Sequence, residues 1–335
     1  MNSSPHIAIA GATGAVGTEM LQCLEERSFP TGKLTLLASA RSAGKTLTFK
    51  GDEIVVQELR EGSFAGVDIA LFSAGGSTSQ DFAPHAAAAG SVVVDNSSAF
   101  RMDPEVPLVI PEVNPEDAKE TPRNIIANPN CTTIVTLMAL APLHRAYGVK
   151  ELVASSYQAV SGSGVAGIQE LENQVTALAA GKPAETGTYP HQIAFNVIPQ
   201  VDSFQPNGYT KEEMKMVNEG RKILHHGALR ASVTCVRVPV YRSHSVAVTA
   251  SFERPVSPEA ARETIAAADG VRVVDDPGAG LYPTPLDCTG KDDCLVGRVR
   301  EDLVLENGLS FWVVGDQVRK GAALNAVQIA ELLVG

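Results

Sequence analysis

The chain is short of positive charge: 27 lysines and arginines stand against 38 aspartates and glutamates, for a formal net charge of −11. There is no basic field to draw in nucleic acid or an anionic membrane, so any anionic ligand must be held by a few local arginines or lysines. A paired cysteine framework is also missing. The five cysteines, Cys23, Cys131, Cys235, Cys288 and Cys294, are odd in number and unpaired in spacing, which points to reduced thiols. Only Cys288 and Cys294 lie close together, and with no histidine or cysteine set to match them no metal site is expected. The start, MNSSPHIAIAGATG, lacks the positive region of an export signal. The uncharged stretch 124–143 opens with asparagines, prolines and threonines that leave too short an apolar segment to span a bilayer. A cytoplasmic protein without nucleic-acid or membrane partners is expected.

What is present is apolar sequence in quantity, 44% of 335 residues, too long for one average domain and enough to bury two cores. The first third alternates short apolar strands (HIAIA, KLTLLAS, VDIALFSA, SVVVDNS) with helical stretches, the signature of a parallel, doubly wound sheet. Charge runs, low-complexity linkers and internal repeats are lacking. After about residue 128 a long helix over 132–147 gives way to longer β-rich runs of α+β character. Among them ASVTCVRVPVYRSHSVAVTASFE reads as an antiparallel hairpin turning near residues 241–243. The closing DQVRKGAALNAVQIAELLVG is apolar at helical spacing and should pack a last helix back on the first domain. The expected fold is therefore α/β: a Rossmann-like first domain over 1–128, completed by 316–335, and an α+β domain over 129–315.

HIAIA runs directly into Gly11-Ala-Thr-Gly14-Ala-Val-Gly17 and then a helix, the context in which a glycine fingerprint lets a helix amino-terminus face a pyrophosphate. A turn without a ligand is the plain alternative. At the end of the second strand, where an NAD enzyme usually places an acid for the ribose hydroxyls, LLASARSAGKTL offers Arg41 and no acid before Asp52. A guanidinium suits a 2′-phosphate, so NADP is the expected cofactor.

Cys131 follows the turn Asn128-Pro129-Asn130 and stands at a helix amino-terminus, where unpaired N–H groups and the dipole favour a thiolate. A buried small residue is an equal reading of the same cysteine. Of seven histidines that could serve it as a base, His244 stands apart, on a strand-turn-strand with Arg237 and Arg242 nearby in sequence. Spacing cannot bring Cys131 and His244 together.

The ordered set GATGAVGTEML, LASARSAGK, DNSSAFRM, NPNCTT, SYQAVSGSG, RVPVYRSHS and RKGAALNAVQIAE closely resembles the bacterial aspartate-semialdehyde dehydrogenase family over essentially the full length. The resemblance implies that Cys131 is the acyl-thioester nucleophile, His244 the general acid/base, and Gln158 the group that orients the intermediate or substrate. It gives Arg237 to the substrate α-carboxylate, Glu219 to its ammonium, and Arg101, Lys222 and Asn130 to phosphate. Gly11, Thr13, Gly14, Ala15, Val16, Arg41, Ser42, Ser161 and Gly162 match NADP-binding positions. Gln317 falls at a further cofactor-binding position, where the family usually has asparagine.

The implied reaction is NADPH-dependent reductive dephosphorylation of L-aspartyl-4-phosphate to L-aspartate 4-semialdehyde, in the biosynthesis of lysine through diaminopimelate, threonine, methionine and isoleucine. A homodimer formed through the second domain is implied as well. The rivals are another acyl-phosphate reductase, such as N-acetyl-γ-glutamyl-phosphate reductase, and a catalytically silent dinucleotide-binding regulator. Glu219 separates the first rival, because an acetylated nitrogen has no charge to pair. A thiol hydrolase would have no reason to keep Arg41 or the glycine loop.

Overall fold

The computed structural model describes residues 4–334. The chain divides into two compact units, one running to Asn130 and resuming at Gly321, the other Cys131–Lys320.

The first unit contains β1 (His6–Ala10), α1 (Ala15–Glu26), β2 (Lys33–Ala38), β3 (Thr46–Phe49), β4 (Asp52–Val55), β5 (Gln57–Glu58), β6 (Ile69–Phe72), α2 (Gly76–Ala88), β7 (Val92–Asp95) and β8 (Ile125–Ala127). Six strands form a sheet in the order β5-β2-β1-β6-β7-β8, every pair parallel. Central strands of such a sheet are covered on both faces and read as unbroken apolar runs, as Ile7, Ala8 and Ile9 in β1 and all of β6 do. Ile7, Ile9, Met20 and Leu24 share one core with Val327 and Ile329 of the carboxy-terminal helix Leu324–Val334, so the expected return of that helix is present. β3 and β4 add a small hairpin, turned by Lys50 and Gly51 at φ 51° and 87°, which the sequence had not revealed.

The second unit contains α3 (Cys131–Tyr147), β9 (Val149–Gln158), α4 (Gly164–Ala179), α5 (Lys211–Ile223), β10 (Arg230–Arg237), β11 (His244–Phe252), α6 (Pro258–Ala266), β12 (Val271–Val273), α7 (Pro285–Cys288), β13 (Cys294–Glu301) and β14 (Gly308–Gly315). Its six-stranded mixed sheet has the order β10-β9-β11-β14-β13-β12. The period of two along β9 buries Leu152, Ala154, Ser156 and Gln158 on one side and exposes Val153 and Tyr157 on the other. Helices α3, α5 and α6 pack on the sheet, and α3 is buried from residue 132 to 141.

The expected hairpin of β10 and β11 is not formed. β9 lies between them, parallel to β10 and antiparallel to β11. Alternation fixes which face a strand buries but not its neighbour, and here the connecting segment crosses the end of β9. Val238 N donates to Gln158 O (3.0 Å), and the outer edge of β10 is occupied where Ile198 and Arg237 exchange two backbone bonds of 2.9 and 2.8 Å. Pro239 follows with no N–H to continue a ladder.

Candidate active site

In the first unit the strand order reverses between β1 and β6, the point at which open parallel sheets bind ligands beyond their carboxyl ends. A cleft of about 660 Å³ opens there, lined by Gly11, Thr13, Gly14, Arg41, Ser42 and Lys45 among others. Gly11 has φ +90°, and a Cβ on it would lie 2.3 Å from Ser73 O; a Cβ on Gly17 would lie 2.2 Å from Gly11 O. The first glycine thus permits the turn and the third the close packing of helix on strand. α1 begins at Ala15 with neither a side-chain cap nor an acid in its first turn, which leaves its amide groups for an anion, with Val16 in that turn. A pyrophosphate fits this set. Ser73, Ala74 and Thr78 line the same cleft and were missed, although IALF followed by Ser-Ala-Gly-Gly repeats the strand-glycine-helix pattern of the first loop.

In the second unit three strands bring the chemistry to one end of the sheet. Gln158 closes β9, Arg237 closes β10 in register with it, and His244 opens the antiparallel β11 one residue before the Ser245–Tyr157 pair. Thr132, next to Cys131 at the start of α3, accepts a 2.8 Å hydrogen bond from Gln158 Nε2, so the helix start meets the same end. Gly162 lies there too: a Cβ on it would be 2.8 Å from Arg237 Nη1 and 3.3 Å from both Cε1 and Nε2 of His244. Arg237 is buried, with Nη1 donating to Ala159 O at 2.7 Å and its guanidinium 5.8 Å from the centre of the Tyr189 ring.

His244 is fully buried, and its Nδ1 accepts the backbone N–H of Ala159 at 3.1 Å. A neutral ring that accepts at Nδ1 carries its proton at Nε2, and that buried nitrogen has no protein partner among the described residues. Burial, then the Arg237 charge, hold the His244 pKa well below 6.5 against a smaller opposing effect of the Ser243 backbone carbonyl, an acceptor for the ring. The pole therefore presents a neutral donor beside a cation. Cys131 is the partly exposed cysteine; the other four are buried. Burial pushes the Cys235 and Cys288 thiols up to about 12.

Gln317 is 4% exposed, and its amide is used at both ends within the second unit. Oε1 accepts Ser243 N at 2.7 Å, and Nε2 donates to Ser161 Oγ. Gln317 thus braces the turn before His244 against the loop after β9.

Glu219 and Lys222 lie on α5, Glu219 buried and Lys222 half-buried. Arg101 belongs to the first unit and is no free surface charge: its Nε and Nη2 donate to the carbonyls of Asn128 (2.9 Å) and Asn96 (3.0 Å). Asn130 is 6% exposed at the end of the same segment. Asn128 is itself fixed by Nδ2 bonds to Asn96 Oδ1 (2.6 Å) and Ala322 O (3.1 Å).

Among the described residues no group of three or more His, Cys, Asp or Glu could hold a metal ion, and no helix is long and apolar enough to cross a membrane. A dinucleotide cleft in one unit and a cysteine, histidine and arginine pole in the other define a dinucleotide-dependent oxidoreductase. Residues 6–121 match the family described as semialdehyde dehydrogenase, NAD binding domain, and residues 140–320 that described as semialdehyde dehydrogenase, dimerisation domain. The chain is 55% identical over 331 residues to aspartate-semialdehyde dehydrogenase of Aquifex aeolicus, covering 98% of this chain and 97% of the relative. It is 51% identical over 334 residues to that of Synechocystis, covering 100% and 98%. Its fold matches aspartate semialdehyde dehydrogenase II of Vibrio cholerae complexed with ASA, with TM-score 0.96, 52% identity and coverage of 99% and 98%. It also matches aspartate semialdehyde dehydrogenase with NADP of Candida albicans, with TM-score 0.77, 25% identity and 98% of each chain covered. The chain belongs to the aspartate-semialdehyde dehydrogenase family.

Proposed function

We propose that the protein is a cytoplasmic, NADP-dependent aspartate-semialdehyde dehydrogenase that reduces L-aspartyl-4-phosphate to L-aspartate 4-semialdehyde for the biosynthesis of lysine, threonine, methionine and isoleucine. The observation that carries the reading is the convergence of Gln158, Arg237 and His244 with the Cys131 helix start at one end of the second sheet. The Cys131 thiolate attacks the acyl carbon; the carbon–oxygen bond to phosphate breaks, and phosphate leaves to Lys222, Arg101 and Asn130. Arg237 takes the α-carboxylate in bidentate fashion and Glu219 the ammonium. When bound, the nicotinamide supplies the hydride that reduces the thioester. The Nε2–H of His244 donates a hydrogen bond to the resulting oxyanion and keeps its proton; collapse of that oxyanion breaks the carbon–sulfur bond, releasing the aldehyde and the thiolate. The acid/base role is narrowed accordingly: a second proton on the ring would displace the Ala159 bond at Nδ1. Arg41, Ser42, Lys45 and the glycine loop, which line the cleft, would hold the cofactor, and the Arg41 guanidinium would suit a 2′-phosphate.

The test is phosphate-dependent NADPH formation from L-aspartate 4-semialdehyde. Wild type should turn over, Cys131→Ala should not, and Arg41→Ser should raise the KM for NADP about tenfold or more while leaving that for NAD nearly unchanged. A folded wild type that binds NADP but does not turn over would overturn the reading.

The matched dimerisation domain supports a homodimer, for which the open face of the second sheet is suited: Val153 is 51% exposed, and Tyr157 packs on Trp312 at 5.3 Å between ring centres. Sedimentation equilibrium at micromolar concentration should give a dimer; monomer alone would reject it.

A further inference from the structure

α5 carries an alternating charge stripe that the sequence shows plainly: Glu212, Lys215, Glu219 and Lys222 follow one another at i, i+3, i+7 and i+10. That spacing places all four on one helical face. The latter pair is already assigned to substrate and phosphate. The former pair has been given no role, and it reaches the same pole.

Glu212 is 7% exposed, and its Oε2 pairs with Lys215 Nζ at 3.0 Å. Lys215 is held in turn by Asp202 at 3.2 Å. Burial pulls the Lys215 pKa down, but the two carboxylates, Glu212 first, more than offset this and leave it raised, so the ammonium stays charged beside Glu212. The other carboxylate oxygen, Oε1, faces Gln158 Nε2 at 3.3 Å. Gln158 Nε2 also faces Thr132 Oγ1 at 2.8 Å and Ser156 Oγ at 3.2 Å.

These three neighbours do not constrain the amide equally. A hydroxyl donates or accepts, so Thr132 and Ser156 would tolerate either end of the Gln158 side chain. An ionised carboxylate only accepts, and it requires the nitrogen end. We propose that Glu212 is a positioning residue which fixes the orientation of the Gln158 amide, commits its nitrogen to the protein and leaves its oxygen for the substrate. Gln158 then acts as a hydrogen-bond acceptor for the substrate ammonium, complementary to the donor at His244 Nε2. Lys215, paired with the other Glu212 oxygen at 3.0 Å, holds the carboxylate in place.

The proposal rests on the reading of Gln158 as a substrate-contacting residue, and a double-mutant cycle separates the two. Wild type, Glu212→Gln, Gln158→Ala and the double variant are compared by kcat and by KM for semialdehyde and for NADP in the phosphate-dependent assay. A glutamine at 212 keeps the volume but lets either end of Gln158 face it. Glu212→Gln should lower kcat about tenfold and leave the KM for NADP unchanged, and it should cost almost nothing further in the Gln158→Ala background. Equal losses in both backgrounds, or no loss in the wild-type background, would overturn the role of Glu212. Full activity of Gln158→Ala would overturn the reading of Gln158 itself. If Glu212→Gln does not fold, Lys215→Met takes its place in the cycle: it keeps the carboxylate and the amide and frees their alignment. A loss of about threefold that vanishes in the Gln158→Ala background supports the proposal, and an equal loss in both overturns it.

Discussion

The backbone N–H of Ala159 donates to Nδ1 of His244 at 3.1 Å, and this one bond decides which ring nitrogen carries the proton. It also ties the loop after β9 to the first residue of β11, so that the donor at Nε2 is held in the same frame as Arg237, whose guanidinium bonds the carbonyl of the same Ala159 at 2.7 Å.

A histidine held neutral by burial makes stability depend on pH in a definite sense. The His244 pKa is well below 6.5 in the folded chain and near 6.5 in the unfolded one. Between those values the unfolded state binds a proton that the folded state does not, so stability is complete above about pH 6.5 and falls on acidification, by up to about 1.4 kcal/mol per pH unit. His144, lowered by burial and then by His226, adds a slope of the same sign. His244→Asn keeps an acceptor for Ala159 without a titrating group. Denaturant melts between pH 5 and 8 should show a shallower acid-side decline in that variant, and an unchanged decline would place the proton elsewhere.

Gly162→Ala probes the geometry around Arg237. The methyl would stand 2.8 Å from Nη1, closer than real Cβ contacts come, and the buried guanidinium anchored on Ala159 must give way. The KM for L-aspartate 4-semialdehyde should rise about tenfold, the worth of roughly one misaligned charge-assisted bond, with the melting temperature little changed. If that KM stays put, the α-carboxylate is not bound by Arg237.

Much of this was legible in the sequence, and the failures have physical causes. Alternating strands and helices with the glycine loop gave the parallel sheet, because βαβ units force both periodicity and order. The β10–β11 pairing was misread because two alternating runs separated by a short link look the same whether or not a third strand lies between them. The place of Cys131 at a helix start left thiolate and buried spacer as equal readings, and partners could be brought to it only by resemblance, since Gln158, Arg237 and His244 come from strands up to 86 residues apart in sequence. Glu212 belongs to a charge stripe of the kind that usually marks a solvated face, and only its burial sets it apart from one.

At position 317 the resemblance leads one to expect asparagine, and the structure gives the longer glutamine a use. The side chain spans from Ser243 N, 2.7 Å from its Oε1, to Ser161 Oγ, and Ser243 needs the support: it holds φ 75° without being glycine, immediately before His244. Leucine at this position keeps the shape and strands the buried Ser243 N–H, a cost of about 1–3 kcal/mol. Gln317→Leu should therefore lower both the melting temperature and kcat. Gln317→Glu restores an acceptor for Ser243, and the Ser161 hydroxyl can turn to donate to its second oxygen. If the residue acts as a brace, Gln317→Glu recovers most of the kcat lost in Gln317→Leu. If it acts only by touching the cofactor, the added negative charge weakens NADP binding, read by quenching of the protein's fluorescence, and kcat is not recovered.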